Sequence, residues 1–371
     1  MNFKKYLIIG SGFSGAVIAE QLSKNPENKI LVIDERNHIG GNCYTERDVE
    51  TQVMVHQYGP HIFNTDNKEV WDYIQQFCEM VPFVNRVKSI YQGNVYSMPI
   101  NLHTINQFFN KTLNPEEAKK FIDSIAQKNI EEPKNFEEQA MKFIGKDLYK
   151  AFFYGYTKKQ WGCEPSELPA SILKRLPVRF NYNDNYYANP YQGIPKDGYT
   201  SIFEKMFDSP NIEVRLNTKY DENWDLTEFE HVFYTGPIDA FFQYKFGRLS
   251  YRTVNFEKYI ADGDYQGNPV INYADADVPY TRIHEHKHFT PWEEHEKTVY
   301  FKEYSKETSE TDIPYYPKRL KDDLEKLSLY EEEVNKLENI TFIGRLATYR
   351  YMDMHHVIGE ALNLVKLKFK L

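Results

Sequence analysis

Glycines at positions 10, 12 and 15 lie between a short apolar run, Tyr6–Ile9, and a stretch with helical spacing, 14–24. A second apolar run, Ile30–Ile33, ends in Asp34-Glu35, and Arg36-Asn37-His38-Ile39-Gly40-Gly41-Asn42 follows directly. Strand, GxGxxG turn, helix, strand and acid is the order that holds a dinucleotide. Glycines let the backbone approach a pyrophosphate, whose charge the helix N-terminus stabilises. Asp34 or Glu35 is spaced to accept a ribose hydroxyl. The GxGxxG spacing alone also fits a tight turn with no ligand. Gly40-Gly41 bring a second stretch of backbone near the ligand, which suits FAD better than NAD.

The elements that must position these residues are interleaved along the chain. The run Val232–Tyr234 ends in Thr235-Gly236, and Ile340–Ile343 meets Gly344-Arg345; each reads as a further strand passing the cofactor. A helix from about Asp353 buries Val357, Ile358, Ala361, Leu362 and Val365 on one stripe, and its positive end can face a flavin ring. Asp353 reads equally as an N-cap or as a residue at the flavin–sugar junction. A hairpin is expected at Val87–Tyr91 and Val95–Met98, and helices occupy 101–161, with starts at Asn114-Pro115 and Asn135. The spacing of Leu148, Phe152 and Tyr156 puts three bulky side chains on one helix face. Residues 162–177, punctuated by three prolines and carrying Lys174-Arg175, form either a static connector or a mobile lid. Val178–Tyr187, Tyr251–Val254, Val270–Tyr273 and Thr298–Phe301 alternate like antiparallel strands.

Composition narrows the class. The chain has 371 residues, 41% of them hydrophobic and 27% charged, which is ordinary for a globular protein of two or three domains. Its formal charge of −9 argues against nucleic acid as a partner, so an anionic ligand needs a few placed arginines. No apolar run approaches the ~18 residues of a membrane span, and the strand beginning after Lys4-Lys5 leaves no room for a signal peptide. Cys43, Cys78 and Cys163 are odd in number and widely spaced, which fits reduced thiols in a cytoplasmic protein and no metal site. Aromatic residues reach 16%, with 29 tyrosines able to stack on bases and to bind phosphate through their hydroxyls.

Several segments outside the nucleotide fingerprint then carry a resemblance. Tyr58-Gly59-Pro60-His61-Ile62-Phe63, Gly155–Gly162, Glu167–Ala170, Pro177–Phe180, Val278–Arg282, Pro314–Pro317 and Gly344–Leu346, with Gly10–Gly15 and His38–Asn42, resemble the bacterial UDP-galactopyranose mutases along essentially the whole chain. The resemblance implies an α/β fold: an FAD-binding Rossmann-like domain with an inserted helical domain and an antiparallel β-sheet domain. The expected segments are 1–82, 190–240 and 318–371 for the FAD domain and 100–177 for the helical domain with its mobile loop 162–177. The sheet domain takes 83–99, 178–189 and 241–317.

The family interconverts UDP-galactopyranose and UDP-galactofuranose without net redox. Reduced FAD serves as nucleophile through N5 at the sugar's anomeric carbon, and UDP is a transient leaving group. By resemblance, Arg175 and Arg282 bind the diphosphate and His61 lies near N5. Substrate contacts are Asn85, Phe152, Phe153, Tyr156, Thr157, Trp161, Tyr186, Asn272, Tyr315, Tyr351 and Asp353. Cofactor contacts are Gly10, Gly12, Phe13, Ser14, Gly15, Asp34, Glu35, Gly40, Gly41, Asn42, His61, Ile62, Thr235, Gly236, Gly344, Arg345, Tyr351, Met352, Asp353 and Met354. Asn64 departs from the family, which commonly has a histidine there. The resemblance further implies a homodimer, a reductant such as NAD(P)H or a reductase, and a place in the synthesis of galactofuranose-containing surface polysaccharide. A flavin oxidase on the same fold and a non-catalytic UDP-sugar binding protein are the competing readings.

Overall fold

The computed structural model describes residues 3–173 and 178–369. A five-stranded parallel sheet sits at its centre, in the order Ile212–Arg215, Asn28–Ile33, Lys4–Ile9, His231–Tyr234, Ile340–Phe342. Ile8 stands opposite both Val32 and Phe233, so the two apolar runs of the motif lie side by side. The helices Phe13–Ser23, Thr200–Phe207 and Met354–Phe369 cover one face, burying Val17, Leu22, Phe203, Ile358 and Ala361. This outward order from the first strand is that of a doubly wound dinucleotide fold.

A seven-stranded sheet stands beside it, running Tyr316–Pro317, Tyr251–Asp262, Lys297–Glu307, Arg282–Glu285, Val270–Tyr273, Val87–Tyr91, Asn94–Met98. All its pairs are antiparallel except Val270–Tyr273 with Val87–Tyr91, which is parallel. The chain between these two strands, which includes the helical insertion and two strands of the five-stranded sheet, is long enough for a crossover. The insertion contains Leu102–Phe108, Pro115–Ile125, Phe136–Tyr149 and Gly155–Trp161. Asn114 and Glu117 form a full capping box, and Asn135 accepts from the Glu138 amide.

Two expectations fail for physical reasons. Val178–Tyr187 is no strand: Asn181, Asn183 and Asn185 each accept from the amide two residues on, and the Arg179 guanidinium binds the carbonyls of Asn183 and Asn185. These local side-chain bonds outcompete a ladder. Leu148, Phe152 and Tyr156 do not share a face either. A π-helical turn, Lys150–Tyr154, separates two α-helical segments and shifts the phase between them. Phe152 turns into the core against Tyr91, Tyr96 and Phe108, while Tyr156 is left on the other side.

The segment Gly155–Trp161 is clamped to the sheet. A Cβ on Gly155 would lie 2.2 Å from the Ala274 carbonyl oxygen, so only glycine permits this approach. Lys159 donates to the carbonyls of Tyr273, Asp275 and Tyr280 at 2.7, 2.9 and 3.0 Å. Arg252, buried, donates to the carbonyls of Gln160 and Lys159 at 3.0 and 3.2 Å. The carbonyls left open at the helix end are thereby satisfied.

Candidate active site

Each glycine of the turn has its own task. Gly10 has φ +110°, and its amide donates to the Ile33 carbonyl at 2.8 Å. A Cβ on Gly15 would fall 2.0 Å from Gly10 O, so the third glycine lets helix and strand close together. Gly12 is different: a Cβ there would meet only Gly41 Cα, at 4.0 Å. Within the chain itself a side chain fits, so the small residue keeps space open on the cleft side. Among the described residues no side chain caps the helix Phe13–Ser23, which leaves its first-turn amides to meet an anion.

Asp34 is occupied by the turn. Its Oδ2 accepts from the Ser11 amide and hydroxyl at 2.8 and 2.7 Å, and its Oδ1 accepts from the Arg36 amide at 3.0 Å. Glu35 is exposed and lines the cleft. Of the two acids, Glu35 is therefore the one available to a ribose. Gly40 and Gly41 have φ +90° and +56° and carry the backbone past Gly12. Thr235 donates through both amide and hydroxyl to Ile9 O, and a Cβ on Gly344 would lie 2.5 Å from Ser14 Oγ. Free amides, an unspent acid and three close backbone crossings fit a dinucleotide.

These residues form one end of an open cleft of about 2430 Å³ that runs on between the helical insertion and the seven-stranded sheet. Gly10, Gly12, Phe13, Ser14, Gly40, Gly41, Asn42, His61, Ile62, Thr235, Gly236, Gly344, Arg345, Met352 and Met354 line it; Gly15 lies behind, in the packing. Further along, Tyr156, Trp161, Tyr186, Arg282, Tyr351 and Asp353 line the same space. Asp353 caps the last helix with its backbone carbonyl, which accepts from the His356 and Val357 amides, and among the described residues no first-turn amide donates to its carboxylate.

Other sequence-derived candidates lie elsewhere. Asn85, Phe152 and Thr157 are buried, and Phe153 packs against the helical core; none of them lines the cleft. Asn272 stands opposite Arg282 on the neighbouring strand without reaching the cleft wall. Tyr315 is buried and faces a separate 80 Å³ chamber, while Tyr316 takes the cleft position. Arg175, with Lys174, Leu176 and Pro177, lies outside the described residues.

Arg36 and Tyr316 entered the sequence reading only as members of motifs, without a site role, and Glu303 did not enter it. Arg36 stacks over Tyr58 at 4.6 Å, donates to Asn42 Oδ1 at 2.9 Å, and keeps Nη1 buried with no partner among the described residues. Its place directly after Glu35 was the available signal. Tyr316 was hidden by its neighbour Tyr315, and Glu303 by its position in an unremarkable strand.

Electrostatics separate the titratable groups. Arg282 Nε donates to Glu303 Oε1 at 2.8 Å. Burial pushes the Glu303 carboxyl up, but Arg282 and His284 outweigh it and hold it at about 2. Burial raises the phenols of Tyr156 and Tyr315 above their ordinary value, so both remain hydrogen-bond donors. His61 contacts the Gly59 carbonyl through Nδ1 at 2.8 Å. A carbonyl only accepts, so Nδ1 carries the proton and Nε2 is left as an acceptor. Burial and then the nearby Arg345 charge lower His61 to about 4. Asn64, on the cleft wall, accepts from Asn189 Nδ2 at 2.8 Å and cannot titrate.

His56, His61 and His286 are held neutral by burial, His56 at about 3. Unfolded histidines bind protons as pH falls below about 6.5, where these folded ones refuse them. Their contribution to stability is present above that pH and is lost as pH falls toward the folded values. The melting temperature should therefore decline between about pH 6.5 and 5, before carboxylates titrate. Melting curves across that interval check this, and a flat profile would contradict neutral burial.

Known proteins agree with this architecture. The model of the UDP-galactopyranose mutase family matches residues 151–351, and that of an NAD(P)-binding Rossmann-like domain matches 8–77. A probable UDP-galactopyranose mutase of Klebsiella pneumoniae is 56% identical over 362 residues, covering 98% of this chain and 94% of that one. A dTDP-fucopyranose mutase of Escherichia coli is 54% identical over 373 residues, covering 99% and 98%. The crystal structure of a reduced UDP-galactopyranose mutase superposes with a TM-score of 0.77 at 15% identity, covering 100% of this chain and 94% of that one, and speaks for the fold. Full-length relatives and the family match together show that the chain belongs to the UDP-galactopyranose mutase family, enzymes of the mutase class, here on a dinucleotide fold of flavin type.

Proposed function

We propose that the chain converts UDP-galactopyranose to UDP-galactofuranose with FAD as its cofactor in the reduced form. The carrying observation is Arg282, held by Glu303 on the wall of the cleft that the glycine turn also enters. At about 2430 Å³ the cleft exceeds the roughly 300–1,000 Å³ of a single-ligand pocket, which suits a dinucleotide and a nucleotide sugar together.

Bound reduced FAD would supply a nucleophilic ring nitrogen at the anomeric carbon. Gly10, Gly12 and the first turn of Phe13–Ser23 would hold its pyrophosphate and Glu35 its ribose. Thr235, Gly236, Gly344, Arg345 and the start of Met354–Phe369 would wall the ring. His61 offers Nε2 as an acceptor there, and Asn64 can only hydrogen-bond.

Arg282, with Arg175 from the proposed lid, would neutralise the charge gathering on the departing diphosphate. Tyr186, Tyr316 and Tyr351 can donate to phosphoryl oxygens, and Tyr156 and Trp161 offer flat faces to base and sugar. Asp353, unspent on its helix, can take a sugar hydroxyl. The activated furanose would serve surface polysaccharide synthesis, a nicotinamide donor or reductase would keep the flavin reduced, and the chain would act as a cytoplasmic homodimer.

The 54% identical dTDP-fucopyranose mutase supports a second reading, in which the base carries a methyl group and the sugar lacks its 6-hydroxyl. Anaerobic incubation of dithionite-reduced protein with UDP-galactose and, separately, dTDP-fucose distinguishes them. NMR detection of UDP-galactofuranose without stoichiometric oxidation supports the first. Furanose only from dTDP-fucose supports the second, and furanose from neither overturns both.

A further inference from the structure

We infer that His284 is a positioning residue for Arg282, acting through the buried carboxylate of Glu303. The inference rests on reading Arg282 as a diphosphate ligand. Arg282–Glu285 and Lys297–Glu307 are adjacent antiparallel strands, with Arg282 opposite Glu303 and His284 opposite Phe301. The strand alternation sends Arg282, His284 and Glu303 to one side of the sheet.

Glu303 is 2% exposed and His284 fully buried, so this bonding is shielded from water. Glu303 Oε1 accepts from Arg282 Nε at 2.8 Å and from Thr281 Oγ1 at 2.9 Å, while Oε2 lies 2.9 Å from His284 Nε2. An ionised carboxylate only accepts, so His284 carries its proton on Nε2. Arg282 is thus gripped through Nε, and its two terminal nitrogens are not spent on Glu303. That leaves a fork for phosphoryl oxygens.

A single Nε contact fixes the guanidinium only if the carboxylate plane is itself fixed. Thr281 and Arg282 both hold Oε1, so they leave that plane free to swing about the shared atom. His284 holds the other oxygen, and this second anchor stops the swing. His284 Nδ1 is buried without a partner among the described residues, and the residue lies beside the 80 Å³ polar chamber. Asn42, Tyr58, His61 and Arg345 also border it, so the same chamber touches both the cofactor end and the arginine end of the site.

The test measures UDP affinity of the flavin-loaded, oxidised protein by calorimetry, with melting temperatures recorded for each variant. His284→Leu is expected to weaken UDP about tenfold, whereas His284→Gln, whose amide replaces the Nε2 donor, stays within about threefold of the parent. His284→Asn, too short to reach Glu303, should behave like His284→Leu and serves if the leucine variant does not fold. Equal UDP affinity in the parent, leucine and asparagine variants would overturn the inference. So would a glutamine variant as weak as the leucine one, since that would reveal packing alone. A parent protein that binds neither UDP nor dTDP would instead overturn the reading of Arg282, and the inference with it.

Discussion

Arg282→Ala is expected to lower turnover by about 10²- to 10³-fold, the loss that follows removal of one transition-state donor. Two effects are entangled in that substitution. It removes a cation from the cleft, and it leaves the Glu303 carboxylate, 2% exposed, without its charged partner. Breaking such a pair costs about 3–5 kcal/mol when both members are buried; the Arg282 side chain is 26% exposed, so the lower end applies. The double variant Arg282→Ala/Glu303→Gln separates the two. It removes the stranded charge, so the melting temperature should recover while turnover does not. Recovery of turnover in the double variant, or near-parental turnover in Arg282→Ala, would remove Arg282 from the chemistry. Arg282→Lys should also stay slow, because a point charge cannot copy a fork that binds Glu303 and a phosphoryl group at once.

The second large effect divides the glycine turn. Gly12→Ala and Gly15→Ala should both yield protein that retains little flavin, but by different routes. A Cβ on Gly15 lies 2.0 Å from Gly10 O and 2.9 Å from Ile8 Cγ2, so helix and strand must separate. Its cofactor-free melting temperature should fall well below the parent's. Gly12 accepts a Cβ without conflict, its nearest contact being 4.0 Å away. Gly12→Ala should melt like the parent when cofactor-free and still lose flavin affinity by about tenfold or more, about 1.4 kcal/mol. Flavin absorbance after reconstitution, set beside melting of the stripped proteins, checks both. Full flavin retention in Gly12→Ala would mean that no ligand backbone or phosphate approaches that residue.

The glycine turn could be read from sequence because Gly10 and Gly15 answer backbone demands that no other residue type meets, while Gly12 keeps the ligand side open. The ends of the parallel strands were readable for the same reason, since apolar runs stop where Gly10, Thr235-Gly236 and Gly344 begin. The choice between Asp34 and Glu35 was not readable. It depends on Ser11 capturing Asp34, a contact across 23 positions. The face shared by Leu148, Phe152 and Tyr156 was misread because a π-turn changes the helical phase without changing residue spacing. Val178–Tyr187 misled because its apolar alternation is visible in sequence, whereas the competing asparagine turns depend on backbone angles. Glu303 and His284 carry no local signal at all; only the pairing of two strands brings them to Arg282.

The parallel sheet has a consequence for the order in which the protein becomes competent. Its central strands join residue 8 to residue 233, and the latter to residue 341. The wall formed by Gly344–Met354 comes from chain made more than 300 residues after the glycine turn that it faces. Such long-range pairings close slowly, and during synthesis the turn must wait, with its helix amides bare, until those residues have emerged. Cofactor capture is thus a late event in the life of each molecule. The apolar strands Tyr6–Ile9 and Ile30–Ile33, already made and not yet covered, define the interval in which a nascent chain is most prone to aggregate.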